Sequence, residues 1–216
     1  MKMWQMLCAA AIASPAMGDL VTNGGFEAGT GEDADGWNQL EIFGGSASAS
    51  TDRVAGFGGT SAYEGSEFMY FGVIGAPDFG PVSEIQQQTA AGSIMGGETY
   101  DFSFAGVGVP GPGSVAFYEV LWFDGDGSNG GGVQGSATGL QVWNYTDSWG
   151  LFGMDDLVAP DAADSILIQI RLVTGAFESA EGWAGVDAVS MAQIPAPGAL
   201  ALLGIAGLGA RRRRSN

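Results

Sequence analysis

Short runs of alternating apolar and polar residues constrain the fold of this chain more than any other feature. Large apolar side chains recur at every second position in two such runs: Tyr100, Phe102 and Phe104 in the first, and Ile166, Ile168, Ile170 and Leu172 in the second. Gln169 and Arg171 occupy alternate positions of the second run. Because successive side chains of a β-strand point to opposite faces of its sheet, this period of two predicts strands that are buried on one face.

Glycine-rich turns separate these runs from further strand candidates. The chain contains 38 glycines, and glycine or proline interrupts the sequence between apolar segments. Val115–Phe123 is apolar on both faces, which predicts an interior strand. The other candidate strands are Leu20–Asn23, Trp37–Phe43, Glu67–Val73, Ile85–Thr89, Leu140–Trp143 and Val186–Met191. About nine strands in one domain, residues 19–193, predict an all-β fold, a two-sheet jelly-roll sandwich.

This domain is strongly acidic. All 24 acidic residues of the chain lie between Asp19 and Asp187, and residues 19–193 contain only two cationic side chains, Arg53 and Arg171, so the formal charge of this segment is −22. Such a surface repels nucleic acids and anionic lipids, and we expect no nucleic-acid partner. It suits divalent cations or a neutral ligand.

The chain lacks the residue types on which most catalytic sites depend. Histidine is absent, and the only cysteine is Cys8. No nucleophile elbow, phosphate-binding loop or zinc motif occurs. Asp155–Asp156 and the pair Asp124 and Asp126 resemble glycosidase carboxylates in type, but such pairs arise by chance in so acidic a chain. We therefore predict a protein without enzymatic activity and without catalytic residues.

Residues 1–18 have the pattern of a secretory signal peptide. Lys2 precedes an apolar run, Leu7–Ala13, and small residues follow it. This order predicts a signal-peptide helix and export across the inner membrane. Cleavage after Gly18 and cleavage after Ala16 both fit the small-residue rule, and an amphipathic or buried helix is the alternative.

Residues 194–216 combine three features in a fixed order. Pro195, Ala196 and Pro197 precede a short apolar run, Gly198–Ala210. Four arginines then close the run: Arg211, Arg212, Arg213 and Arg214. A helix of this run is about 20 Å long, shorter than the hydrocarbon core of about 30 Å. The pattern predicts transient association with the inner membrane, with the arginines held in the cytoplasm.

This tail resembles the PEP-CTERM sorting signal of Gram-negative bacteria. The resemblance implies an exosortase-type membrane protease as partner, a membrane-tethered precursor, and a mature protein at the cell surface or in the extracellular matrix. Substrates of this kind are commonly linked to exopolysaccharide. Ala196 departs from the family pattern, which has glutamate there. An ordinary tail anchor is the alternative.

The central domain resembles galactose-binding-like jelly rolls, including many carbohydrate-binding modules. Three segments carry the resemblance: LVTNGGFEAG at residues 20–29, FGGTSAYEG at 57–65, and AGVDAVSM at 184–191. In the resembled family the opening segment and an aspartate of the final strand often meet at a structural calcium site. The matching residues are Glu27 and Asp187, with backbone carbonyls near Ser61 completing the shell. Alternatively, Asp187 accepts hydrogen bonds from backbone amides and Glu27 is a surface residue.

Aromatic side chains are the candidates for sugar contacts. Flat aromatic faces stack on the C–H surfaces of sugars, whereas most tryptophans serve core packing. Trp143 and Tyr145 lie beside polar, turn-like sequence, which makes them the first candidates for ligand binding.

Two functions follow from these observations. The first is a non-catalytic module that binds a glycan, with extracellular polysaccharide as partner. The second is a structural, calcium-stabilised matrix or envelope component without a dedicated ligand. A glycoside hydrolase is a third and less favoured class, because it requires two converging carboxylates in a cleft.

Overall fold

The computed structural model describes residues 18–125, 133–137 and 139–195. Every regular element within these ranges is a β-strand, which confirms the all-β fold class. The strands are β1 (Gly29–Thr30), β2 (Asp33–Ala34), β3 (Asn38–Ile42), β4 (Ser48–Val54), β5 (Gly56–Phe57), β6 (Thr60–Ser61), β7 (Phe68–Ile74), β8 (Val82–Gln88), β9 (Thr99–Val109), β10 (Ser114–Phe123), β11 (Val133–Ser136), β12 (Gln141–Val142), β13 (Gly150–Val158), β14 (Ser165–Thr174) and β15 (Glu181–Ile194).

Two antiparallel sheets make up the sandwich. The six-stranded sheet has the order β11–β10–β14–β8–β3, and the short strand β12 pairs with the same edge of β10 as β11 does. The five-stranded sheet has the order β13–β9–β15–β7–β4. From β7 to β10, and again from β13 to β15, successive long strands alternate between the two sheets. This connectivity confirms the predicted jelly-roll sandwich.

The core lies between the sheets and contains the side chains that alternation assigned to it. Tyr100, Phe102 and Phe104 of β9 are fully buried, and so are Ile166 and Ile168 of β14. Burying one such side chain contributes roughly 1.5–3 kcal/mol. The interior of this disulfide-free domain therefore carries most of its stability.

One glycine in the core makes room for a large ring. Gly106 of β9 faces inward, and a Cβ atom on it would lie 2.2 Å from the indole of Trp143. The same indole packs edge-on against Phe104, with ring centroids 5.2 Å apart. Glycine in a strand interior weakens the strand, so its presence here reflects the volume that Trp143 requires.

The structure differs from the predicted strands at the start of the domain and in strands that the sequence pattern did not predict. Leu20–Asn23 is not a strand: the Asp19 carboxylate accepts hydrogen bonds from the amides of Val21 and Met191, at 3.0 and 2.9 Å. The backbone bends there, and the Leu20 amide donates to the Met191 carbonyl at 2.9 Å. The edge strands β4 and β13 were not predicted, because their sequences mix polar and apolar residues without a clear period.

The predicted terminal segments fall largely outside the described residues. Of the sorting residues, Gly18 and Pro195 are described, and both are exposed. Ala196, Pro197 and the four arginines, 211–214, lie outside, as do both predicted helices. No helix in the described ranges is long and apolar enough to cross a membrane.

Candidate functional site

Four polar side chains form a row across the outer face of the six-stranded sheet. Glu119 of β10 is paired with Gln169 of β14, Gln169 with Gln86 of β8, and Gln86 with Asn38 of β3. We call these four residues the polar row. Neighbouring strands lie about 4.8 Å apart, so the row is about 14 Å long.

The polar row faces away from the core because strand side chains alternate between faces. The next residues along the same strands, Val120, Ile168 and Ile85, are fully buried between the sheets. The row itself is half-buried over most of its length and exposed at Asn38. It is therefore a surface feature of the sheet and not a polar seam in the core.

A second row of cross-strand neighbours lies beside it and combines an ion pair with apolar ends. Phe117, Arg171, Glu84 and Leu40 are consecutive partners across the same four strands. Arg171 Nε lies 3.7 Å from Glu84 Oε2, and Glu84 is only 5% exposed. A buried carboxylate requires a charged or hydrogen-bonding partner, which the guanidinium supplies.

The second row orients the amides of the polar row. Arg171 Nη2 donates to Gln169 Oε1 at 2.7 Å, and Gln86 Nε2 donates to Glu84 Oε1 at 2.5 Å. Within the described residues, these bonds leave the Gln169 amide nitrogen and the Gln86 amide oxygen without partners. The row thus presents a donor and an acceptor on adjacent strands in fixed orientations.

Two further groups complete the chemistry of this face. No hydrogen bond or ion pair with the described residues engages the Glu119 carboxylate, which leaves its oxygens available as acceptors. Phe117 is half-buried and presents an aromatic ring next to the row. A face with free acceptors, a free amide donor and an apolar ring suits a neutral ligand rich in hydroxyl groups.

Asp187 lies at the opposite sheet, in β15, and is completely buried. Its Oδ2 accepts hydrogen bonds from the amides of Tyr63 and Glu64 at 2.9 and 3.0 Å, and its Oδ1 accepts one from Ala188 at 2.7 Å. Burial raises the pKa of the Asp187 carboxyl to about 6; the amide hydrogen bonds lower this pKa and the Glu64 carboxylate raises it. Asp187 therefore anchors the segment that precedes β7.

Glu27 contacts the same segment a few residues further on. Its Oε1 accepts hydrogen bonds from the amides of Ser66 and Glu67 at 2.7 and 2.9 Å, and its Oε2 accepts one from the Ser66 hydroxyl at 2.7 Å. The hydroxyl and amide bonds from Ser66 and the amide bond from Glu67 hold the pKa of Glu27 below its usual value. Both predicted calcium ligands thus bind one loop, but through different amides.

Calcium binding by Glu27 and Asp187 stays a prediction. Within the described ranges no three acidic, histidine or cysteine side chains cluster as metal ligands. The Ser61 carbonyl, expected near the ion, accepts a hydrogen bond from Trp149 Nε1 at 3.0 Å. Glu64 is an oxygen donor that sequence reasoning missed: a Cβ on Gly25 would lie 3.5 Å from Glu64 Oε1 and 3.9 Å from Asp187 Oδ1.

The structure buries the aromatic pair that sequence reasoning proposed for ligand binding. Trp143 is 2% exposed and Tyr145 6%, and their ring centroids lie 5.0 Å apart within the core. Neither ring offers an open face for stacking, which corrects the expectation of exposure. The pair does border a cavity of about 210 Å³ next to Val115 and Val142. Trp143 Nε1 and the Tyr145 hydroxyl, both buried, have no hydrogen-bond partner among the described residues.

Solved structures share the fold of this domain, whereas no protein-family profile and no curated protein sequence matches the chain. The enzymatically active domain of tailspike protein 4 of bacteriophage CBA120 is 14% identical with a TM-score of 0.54; the match covers 82% of this chain and 21% of that chain. This chain therefore spans about a fifth of the length of that tailspike chain.

Two carbohydrate-binding structures also match over nearly their full length. TmCBM61, in complex with β-1,4-galactotriose, is 17% identical with a TM-score of 0.50; the match covers 82% of this chain and 99% of that one. A family 11 carbohydrate-binding module of a Clostridium thermocellum cellulosomal cellulase is 16% identical with a TM-score of 0.49, covering 83% of this chain and 96% of that one. The similarity of this chain to the tailspike domain and to TmCBM61, at these identities and TM-scores, shows that they share a β-sandwich fold.

We expect the buried Asp187 to make folding depend on pH in chelator-treated protein. The folded-state pKa of about 6 exceeds the usual aspartate value of 3.8, so the folded state binds more protons and is favoured at low pH. As the pH rises from about 4 to about 7, wild-type protein should lose about 2–3 kcal/mol of unfolding free energy relative to Asp187→Asn. Urea denaturation at several pH values measures this, with the exposed-site variant Asp161→Asn as control. A wild-type-to-variant difference that is constant over this range would contradict the assignment.

Proposed function

We propose that this domain is a non-catalytic glycan-binding module and that the polar row is its binding face. The observation that carries the proposal is the continuous alignment of Glu119, Gln169 and Gln86 on three adjacent strands, next to the ring of Phe117. Amides and carboxylates form paired hydrogen bonds with neighbouring hydroxyl groups, and an aromatic ring contacts the apolar side of a sugar.

The shape and charge of the face favour a neutral polysaccharide. The row extends about 14 Å across the sheet and is open at Asn38, which suits a chain of sugar units more than a single one. The formal charge of −22 for residues 19–193 disfavours anionic polymers. Because its fold resembles that of TmCBM61, β-1,4-galactan is a reasonable first probe.

Replacing residues of the face should weaken glycan binding. In affinity gel electrophoresis against β-1,4-galactan and a panel of neutral polysaccharides, we expect Phe117→Ala and Glu119→Gln to raise the Kd at least about tenfold. Leu151→Ala is the matched control, because Leu151 is 71% exposed on the edge strand of the other sheet. Retention that neither substitution changes would refute this face, and the absence of retention on every polysaccharide would refute the function.

A second candidate function is a structural matrix component stabilised by calcium. The observation that favours it is the attachment of Glu27 and Asp187 to the same loop, with the carboxylate of Glu64 close to Asp187. We propose that calcium, if bound here, would offset the cost of burying the charged Asp187.

Calcium should then raise the Tm of the wild-type protein, and Asp187→Asn and Glu27→Gln should abolish the increase. Differential scanning calorimetry with millimolar calcium or magnesium tests this. The control variant Asp161→Asn should respond as the wild type does. Equal responses of all four proteins would rule out this site.

We further propose that residues 1–18 and 194–216 act in export and sorting. A signal peptidase removes the first segment, and an exosortase-type protease cuts near Pro195–Pro197 after a transient inner-membrane stage. The mature domain then resides at the cell surface or in the extracellular matrix.

Intact-mass measurement of the protein from a producing strain, with and without its sorting protease, tests this processing. The expected mature protein begins after Ala16 or Gly18 and ends near residue 195. Replacing the four arginines, 211–214, by glutamine should remove the charges that hold the end of the tail in the cytoplasm. The yield of the processed form should therefore fall. An unprocessed chain in the cytosol would refute export, and a retained tail in both strains would favour an ordinary anchor.

A further inference from the structure

A second concave site lies on the outer face of the five-stranded sheet, on the opposite side of the sandwich from the polar row. Strands β4, β7 and β15 line an open cavity of about 370 Å³. Gly72 and Gly182 form part of its lining. Small-molecule sites typically measure about 300–1,000 Å³, and this cavity lies near the lower end of that range, so it suits a small ligand of one ring.

One side of this cavity is aromatic. The rings of Tyr70 and Trp183 are nearly parallel, with an interplanar angle of 24° and centroids 6.4 Å apart. Phe57, from the β5–β6 hairpin, packs against both rings, at 4.1 Å from Tyr70 and 5.3 Å from Trp183. A Cβ on Gly72 would lie 2.5 Å from the Tyr70 hydroxyl, so the glycine allows that ring to lie over the cavity. Phe57 thereby fixes the orientation of two half-buried rings.

Polar groups surround these rings. The Tyr70 hydroxyl makes no hydrogen bond with the described residues. Burial, and to a lesser degree the charge of Asp52, raises the pKa of Tyr70, so its hydroxyl is a hydrogen-bond donor at neutral pH. Ser50 donates a hydrogen bond to Asp52 Oδ2. The exposed Glu181 adds a carboxylate to the cavity lining. The site therefore offers one free donor and several acceptors next to an aromatic surface.

We infer that this cavity is a second binding site, specific for a single neutral saccharide unit such as a chain end or a side branch. Sugar C–H groups stack on the rings of Tyr70 and Trp183, and sugar hydroxyls bind Ser50, Glu181 and the tyrosine hydroxyl. The acidic surface excludes anionic ligands. The compact cavity selects one unit, whereas the polar row is extended.

Two sites on opposite faces allow one domain to bridge two glycan chains. This bridging rests on the proposed function of the polar row, whereas the second site does not. Because the sites are separated by both layers of the sandwich, one polymer strand cannot occupy them by lying across a single face. The domain would then cross-link a matrix as a monomer.

Tryptophan fluorescence and saturation-transfer NMR of the purified protein test the second site, with methyl glycosides of glucose, galactose, mannose and xylose as probes. We expect at least one glycoside to bind and to change the emission of Trp183. Trp183→Ala and Ser48→Trp, which fills the rim without removing core packing, should weaken that binding at least tenfold. Phe117→Ala, in the other sheet, should leave this binding unchanged. The control Leu151→Ala, on the same outer face as the cavity, should also leave it unchanged.

Turbidity of the protein with a retained polysaccharide tests bridging. Wild-type protein should cross-link the polymer, and Ser48→Trp should bind it without cross-linking.

Polymer retention with no glycoside binding, or glycoside binding that survives both cavity variants, would overturn the second site and leave the polar row standing. Glycoside binding that Ser48→Trp removes, with no polymer retained, would overturn the polar row and leave the second site. Binding of tetramethylammonium but of no glycoside would assign the cavity to cations and overturn the inference.

Discussion

The outer face of the six-stranded sheet depends on the register of β14 with its two neighbours. β14 pairs with β10 over ten consecutive residues and with β8 over seven, without a shift. A slip of one residue would turn Gln169 and Arg171 into the core and Ile168 and Ile170 out to solvent. The buried isoleucines therefore fix the positions of the polar residues, and the site is as well specified as the core behind it.

The two cations of the domain are both used internally. Arg53 donates to the carbonyls of Phe26, Gly31 and Glu27 at 2.7, 3.0 and 3.2 Å, which holds the opening segment against β4. Arg171 pairs with Glu84 and orients Gln169. Both guanidinium groups are engaged by groups of the domain itself. The electrostatic potential around the domain therefore stays negative and disfavours anionic ligands.

The sequence specified the fold better than the site, and particular residues show why. Period-two alternation predicted that Ile166, Ile168, Ile170 and Leu172 face the core and that Gln169 and Arg171 face outward, and the structure confirms both predictions. Alternation, however, concerns residues close together in sequence. The polar row contains residues up to 131 positions apart (Asn38 and Gln169), and a local sequence pattern cannot predict the strand pairings that bring them together. The same limit explains Trp143: polar neighbours suggested exposure, but Gly106, far away in sequence, provides the space that buries it.

The hydrogen bonds between Asp19–Leu20 and Met191 bring the beginning and the end of the domain together beside β15, an interior strand of the five-stranded sheet. Chain segments attached at either end therefore leave the domain from neighbouring points. Tension between them would first load these few hydrogen bonds, which join the two ends of the domain. A force applied through both segments would therefore enter the domain at one place.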